Sequence, residues 1–411
     1  MNKVAIVVQR CHESVVGGSE SLAWHYATLL RDFYAVDVLT TTAVDISDWA
    51  NELSEGVETR DGINIHRFAV TLGRTPYWGK LIERLFRDFQ VCGVGRYAEG
   101  TRYLPWSIPL QEEFIRTQGP YSEGLMKFLA QKWTEYKAIL FITYLYPTTY
   151  FGLLQLPANR AFIVPTLHDE QTAYLSAYKH AARRARSLIW LTDAERRVGL
   201  DLWGDLPGRV VSMSVDTKPR LPAKAESPYI LYCGRIDPNK GCSELFQYFT
   251  EFKKAQPSNL RLLLTGEDHM AVPIHPDIHF LGFVPIEEKF RLMAGAKVFV
   301  MPSGNESFSI VTLEAMAQRT PVLASNKSAV LVDHIKLSGG GWIYHDYESF
   351  ATVLHEMLSD EERRTELGNL ARVYAISRYR PEHIRESLKA AVESCTEMVS
   401  NDKELTGALA P

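Results

Sequence analysis

Short apolar runs recur along the chain, separated by stretches with helical spacing. "KVAIVVQ" is followed by a loop and then by "SESLAWHYATLLRD", where Leu22, Ala23, Tyr26, Leu29 and Leu30 fall on one helical face. "AVDVLTTTA", "AILFITYLY", "RAFIVPTLHDE", "LIWLTDAE" and "RVVSMSV" continue the alternation. Runs that are apolar throughout are expected to be strands buried on both faces. With helices between them they predict a parallel sheet covered on both sides. "DTKPRLPAKAESP" then interrupts with three prolines and mixed charge, a linker composition. The pattern restarts with "YILYCGRID", "LRLLLTGE", "IHFLGF", "KVFVMPS" and "PVLAS". The expectation is an α/β protein of two doubly wound domains, residues 1–216 and 229–380, joined by a linker at 217–228. Residues 381–411 are expected to form a C-terminal helix and tail packing back toward the first domain.

Composition narrows the classes. A chain of 411 residues exceeds what one core usually organises, which agrees with two domains. A formal charge of −4 argues against a nucleic-acid-binding role, which would show a basic domain. Cys11, Cys92, Cys233, Cys242 and Cys395 are scattered, with no C-x-x-C, so neither a disulfide framework nor a structural zinc site is indicated. "MNKVAIVVQRCHE" is too short in apolar run for a signal peptide, and no segment reaches the length of a membrane span. A cytoplasmic protein is expected, with peripheral contact to the inner membrane face left open.

In sheets of this kind ligands bind outside the carboxyl ends of strands, so loops after strands are where chemistry belongs. Four such loops stand out. "HESVVGGSE" brings Gly17 and Gly18 to a helix entrance, where glycine lets backbone approach a ligand, although a plain tight turn reads the same. The dinucleotide fingerprint G-x-G-x-x-G is absent. "GRIDPNKG" places Arg235 and Lys240 between Gly234 and Gly241 at a helix entrance, more a pyrophosphate cradle than a solvated turn. "PTLHDE" ends a strand on His168 and Asp169; a lone histidine there is commonly structural.

The fourth loop, "FVMPSGNESFSIVTLEAMAQRTPV", carries Glu306 before a helix start and Glu314 about one turn inside it. Ile310, Leu313 and Ala317 mark its core face, and Ser309 is placed to cap its first turn. Helix-end amides favour an anion, and two acids beside it suit a ligand that also carries hydroxyls. Each acid by itself also reads as a charge at a helix dipole or a solvated surface residue.

Together these stretches resemble the retaining, nucleotide-sugar-dependent glycosyltransferases of family 4, with the GT-B fold. The resemblance covers most of the chain. It rests on G-G-S-E (Gly17 to Glu20), T-L-H-D (Thr166 to Asp169), Val215-Asp216, G-R-x-x-x-x-K-G (Gly234 to Gly241), G-F-V-P (Gly282 to Pro285) and E-x7-E followed by E-A-M-A and P-V (Glu306 to Val322). It implies two Rossmann-like domains facing across an interdomain cleft, the first binding acceptor and the second nucleotide sugar. By the same resemblance Glu314 accepts from the ribose hydroxyls, and Glu306 lies by the donor sugar. The amides of Ser307, Phe308, Ser309 and Ile310 approach sugar and phosphate. Arg235 and Lys240 neutralise the pyrophosphate, with Gly234 in their loop. Gly17 and Gly18 form the loop meeting the phosphate from the first domain. His168 lies near the reacting carbon, and Gly282, Phe283 and Val284 grip the base, largely by backbone.

Two positions depart from the family pattern. Ser309 stands where E-x-F-G has glycine, and Arg319 replaces a glycine common at a helix C-terminus. Arg319 is expected to satisfy the last carbonyls through its own side chain.

The function implied is transfer of a hexose, with retention, from a nucleotide sugar to a saccharide or lipid-linked acceptor in polysaccharide or glycoconjugate synthesis. UDP-glucose is the favoured donor, by analogy with the family. No D-x-D occurs, so no metal or other cofactor is expected, and the nucleotide sugar is itself a substrate. A sugar-nucleotide epimerase of the same fold and a non-catalytic nucleotide-binding subunit are the alternatives. Residues 74–103, which mix Arg and Lys with Trp78, Phe86 and Phe89, read first as an amphipathic helix packed on the first domain, and second as an acceptor-side or membrane-facing surface.

Overall fold

The buried apolar runs become strands of parallel sheets, although of "RVVSMSV" only Arg209 and Val210 lie in a strand. The structure, a computed structural model, describes residues 2–15, 17–96 and 102–394. It divides into two compact units, one of residues up to Met213 together with those from Ile384, the other Ser214–His383.

The first unit holds β1 (Lys3–Val7), β2 (Ala35–Thr41), β3 (Gly56–Arg60), β4 (Ile63–Phe68), β5 (Ala138–Ile142), β6 (Ala161–Val164), β7 (Ser187–Trp190) and β8 (Gly208–Val210). They form one sheet in the order β3-β4-β2-β1-β5-β6-β7-β8. All neighbours are parallel except β3, which pairs antiparallel with β4. β5 and β6 are buried at every position, as unbroken apolar runs between helical layers must be. The helix Gly18–Leu30 buries Leu22, Ala23, Tyr26, Leu29 and Leu30 together, the face its spacing predicts.

The helix Pro76–Val91 buries Leu81 and Leu85 in the same unit; residues 97–101 of the segment that contains it lie outside the described residues. The helix Pro381–Glu393 buries Ile384, Leu388, Ala391 and Val392, and Arg385 pairs with Asp32 of this unit at 2.9 Å. Cys395 and the rest of the expected tail lie outside the described residues.

No apolar run in the sequence predicts the hairpin β3–β4. Its turn is Asp61-Gly62, both residues at positive φ (52° and 77°), the conformation a two-residue hairpin requires. β3 is nearly all exposed, so it carries no apolar run to announce it.

The second unit holds β9 (Tyr229–Cys233), β10 (Arg261–Thr265), β11 (Ile278–Phe280), β12 (Val298–Met301), β13 (Val322–Ser325) and β14 (Gly341–Tyr344), all parallel, in the order β11-β10-β9-β12-β13-β14. β14 was also missing from the reading, being only half-buried and glycine-led. Residues 217–228 have no regular secondary structure and run along this unit. The Arg220 N–H donates to Gln318 Oε1 at 2.8 Å, and the Ala223 N–H to the Arg291 carbonyl at 2.8 Å.

Candidate functional site

The carboxyl ends of β9 and β12, neighbours in the second sheet, bring two of the predicted loops into contact. Gly241 has φ 75°, and a Cβ there would lie 2.4 Å from the Pro302 carbonyl oxygen. Only glycine allows that approach. It puts Lys240, at the end of a short 3-10 turn capped by Asp237, against the loop that follows β12. Lys240 Nζ donates to Glu306 Oε1 at 2.8 Å and to the Asn305 carbonyl at 3.2 Å. Both side chains are largely withdrawn from solvent, so this pair is electrostatically stronger than a surface bridge.

Arg235 is exposed, and among the described residues its guanidinium makes no ion pair; its carbonyl accepts from Tyr232 Oη at 2.7 Å. The two cations expected to act alike are therefore unequal: Lys240 is paired with Glu306, and Arg235 makes no ion pair among the described residues.

From Glu306 the chain runs through Ser307 and Phe308 into the helix Ile310–Ala317. Phe308 is buried, its ring edge-on to His334 and Tyr379. The Phe308 carbonyl accepts from His334 Nε2 at 2.9 Å, which leaves Nδ1 to accept from the Tyr374 hydroxyl at 3.0 Å. Burial pushes the His334 pKa down, in keeping with a neutral ring. The loop is thus anchored from behind, a device the sequence reading missed; nothing in the spacing of His334 pointed to it.

Ser309 does not cap the helix. It lies in the left-handed region (φ 60°, ψ 61°), and its hydroxyl pairs with Thr312 Oγ1 at 2.9 Å, not with a backbone amide. A capping residue needs extended backbone to turn its side chain onto the first amides, and a left-handed one cannot. The chain thus keeps the conformation a glycine would take there. Thr312 to Ala317 are all buried, whereas Ile310, expected on the core face, is only half-buried.

Arg319 does not reach the helix end either. It is exposed, at φ 65°, and it is Arg372 from the helix Glu361–Tyr379 whose guanidinium donates to the Ala317 carbonyl. A left-handed Arg319 points outward, so another side chain must reach the helix end.

Glu314 is buried, and Lys289 Nζ meets its Oε2 at 2.7 Å. Burial raises the Glu314 pKa and the ammonium of Lys289 pulls it back. Lys289 was not singled out from the sequence; its place in the first turn of the helix Ile286–Gly295, just past Gly282–Pro285, is the signal that could have found it. Gly282 (φ 69°) gives its carbonyl to the Gly266 N–H at 3.0 Å and to Thr265 Oγ1 at 2.8 Å. Phe283 is exposed, and Val284 follows it into the same turn. Gly234 (φ 147°) follows β9 directly. The second unit therefore gathers Gly234, Arg235, Lys240, Gly282–Val284, Glu306–Ile310 and Glu314 at the carboxyl ends of its own strands.

The remaining predicted residues lie in the first unit. Gly17 precedes the helix Gly18–Leu30, and a Cβ on it would lie 2.1 Å from Glu20 Oε2. Glu20 is buried and accepts from Arg10 Nε at 2.5 Å and Gln9 Nε2 at 3.0 Å, so Gly17 makes room for a charged cluster at the end of β1. A Cβ on Gly18 would meet nothing.

His168 follows β6, and its buried Nδ1 has no hydrogen-bond partner among the described residues. Its neighbour Leu167 donates its N–H to Glu195 Oε1 at 2.8 Å, and Leu191, after β7, donates to Glu195 Oε2 at 2.5 Å. Glu195 thereby ties two strand ends together beside His168. Among the described residues no group of three or more His, Cys, Asp or Glu side chains could hold a metal ion, and no helix is long and apolar enough to cross a membrane.

Residues 215–374 match the family described as glycosyl transferases group 1. A D-inositol 3-phosphate glycosyltransferase of Kineococcus radiotolerans is 32% identical over 224 residues, 45% of this chain and 52% of the relative. The O-antigen chain mannosyltransferase B of Escherichia coli is 28% identical over 195 residues, 41% of this chain and 51% of the relative. The chain spans about half the length of the curated relatives it matches. Among solved structures, sucrose-phosphate synthase from Thermosynechococcus elongatus superposes with a TM-score of 0.68 at 17% identity, covering 96% of this chain and 99% of that one. Anabaena HepE in complex with UDP and glucose gives 0.65 at 15%, covering 96% and 100%. The fold is GT-B. The match of residues 215–374 to the group 1 glycosyl transferases is consistent with membership of family 4.

Proposed function

We propose that the chain is a retaining glycosyltransferase that moves a hexose from a nucleotide sugar, with UDP-glucose the favoured donor, to a saccharide or lipid-linked acceptor without a metal ion. The observation that carries this reading is the Lys240–Glu306 pair, which sets a cation and a carboxylate together at the strand ends of a group 1 domain. Glycosyl transfer builds negative charge on the departing diphosphate and positive character on the sugar. Arg235, Lys240 and the amides at the start of the helix Ile310–Ala317 would meet the first. Glu306, with one oxygen held by Lys240, would use the other for a sugar hydroxyl. Glu314 would accept from the ribose, Gly282 to Val284 would take the base, and Gly17, Gly18 and His168 would serve from the first unit. Retention fits front-face attack assisted by the leaving phosphate better than a pair of carboxylates working as in a glycosidase. The relatives named as a D-inositol 3-phosphate glycosyltransferase and an O-antigen chain mannosyltransferase support a glycan or glycoconjugate acceptor.

The test separates binding from chemistry at the two cations. A group that grips the transition state harder than the ground state lowers turnover when lost. Arg235→Met and Lys240→Met keep much of the stem, and each is expected to reduce turnover at saturating donor by about 10²–10³-fold. If both keep wild-type turnover and only the Michaelis constant for donor rises, the cations are an anchor and the leaving-group role falls.

A further inference from the structure

Glu314 is buried in the helix Ile310–Ala317, and a carboxylate in that setting resists ionisation unless something opposes the cost. The opposing group is Lys289. It stands in the first turn of the helix Ile286–Gly295, where its N–H donates to the Pro285 carbonyl at 2.9 Å. Its ammonium reaches Glu314 Oε2 at 2.7 Å and lies 4.8 Å from the centre of the Phe290 ring. Lys289 thus spans from the strand-end turn Gly282–Pro285 to Glu314, and its side chain keeps some exposure. Among the described residues no donor reaches Glu314 Oε1.

We propose that Lys289 is a positioning residue for the donor nucleotide: it keeps Glu314 ionised and holds it by one oxygen, so that the other can accept a hydroxyl of the ribose. The proposal rests on the reading above that Glu314 takes the ribose.

Other charges do not substitute for Lys289. Cys233, at the end of β9, is a buried thiol that feels both members of the pair. Asp216 faces Glu314 with like charge and is bound to Arg220, as is Glu287 of the Ile286–Gly295 helix; Glu288 is bridged to Arg291. Arg372, from the helix packed behind, gives its guanidinium to the carbonyls of Ala317 and Thr217. β12 and β13 contribute no titratable side chain. Without Lys289, burial would act on Glu314 without that opposing ammonium, and the carboxyl would keep its proton to a higher pH than in wild type.

The experiment measures the affinity of UDP, GDP and ADP by calorimetry between pH 6 and 8.5, for wild type, Lys289→Met, Lys289→Arg and Glu314→Gln, each checked for folding by thermal unfolding. Every variant is read as a ratio to wild type at the same pH, which removes the titration of the nucleotide itself. For the nucleotide that binds wild type, Lys289→Met should lose affinity progressively as pH falls, on the order of tenfold more at pH 6 than at pH 8.5. Lys289→Arg should restore a flat ratio, and Glu314→Gln should be weak and flat throughout. A Lys289→Met ratio that is the same at every pH would overturn the proposal, since a merely structural lysine gives that result. Wild-type affinity in Glu314→Gln would instead remove the ribose reading, and the role of Lys289 with it.

Discussion

At the scale of single residues, the two departures from the family pattern show how a backbone requirement outlives the residue that usually meets it. Ser309 and Arg319 both hold left-handed conformations where the family has glycine. The motif was legible at these positions; the compensation was not, because it comes from elsewhere in the chain: Thr312 for the Ser309 hydroxyl and Arg372 for the helix end. Arg319 is the simpler case to test, since its side chain is exposed and its charge only opposes that of Arg372. A non-glycine residue in this region costs roughly 1–2 kcal/mol, of which glycine's greater chain entropy cancels about half. Arg319→Gly is therefore expected to raise the melting temperature by about 1–4 °C, read by calorimetry. A lower melting temperature would mean that the arginine stem contributes packing that outweighs the strain.

At the scale of elements, parallel strands flanking each candidate loop were readable because they are apolar without interruption, as in β5, β6, β9 and β12. The hairpin β3–β4 and the strand β14 were not, since an exposed or half-buried strand carries no such run; Asp61-Gly62 was the overlooked signal. Glu195 is the element-scale feature with the clearest consequence. Burial pushes its pKa up to about 8, despite the N–H groups of Leu167 and Leu191 that favour the charged form. An acid whose pKa is higher folded than unfolded contributes stability that is fully present below its unfolded value near 4.5, and that is lost as pH rises toward 8. Unfolding free energy should accordingly decline from pH 5 to pH 8 in wild type relative to Glu195→Gln, measured by chemical denaturation at both values. A difference that does not change with pH would show Glu195 to be ionised throughout and held by its two backbone donors.

At the scale of the whole molecule, the family motifs cluster unevenly. The second unit holds the run from Gly234 to Val322 and is the part that matches the group 1 family, so the loops of its candidate site were largely legible. The first unit offers only short motifs at Gly17–Glu20 and Thr166–Asp169, and the charged cluster of Arg10, Gln9 and Glu20 behind Gly17 emerged only from the fold. Acceptor recognition leaves no comparable spacing in sequence, because acceptor-binding side chains come from loops of unrelated length. Donor chemistry is therefore the side to measure. The intact chain is incubated in EDTA with UDP-glucose, and in parallel with GDP- and ADP-sugars. Release of nucleoside diphosphate is followed beside the same assay on Glu306→Gln. A nucleotide-sugar glycosyltransferase without a metal should release diphosphate from at least one donor, slowly by hydrolysis when no acceptor is present, and the variant should not. No release from any donor, or release that requires a restored divalent metal, would contradict the function proposed.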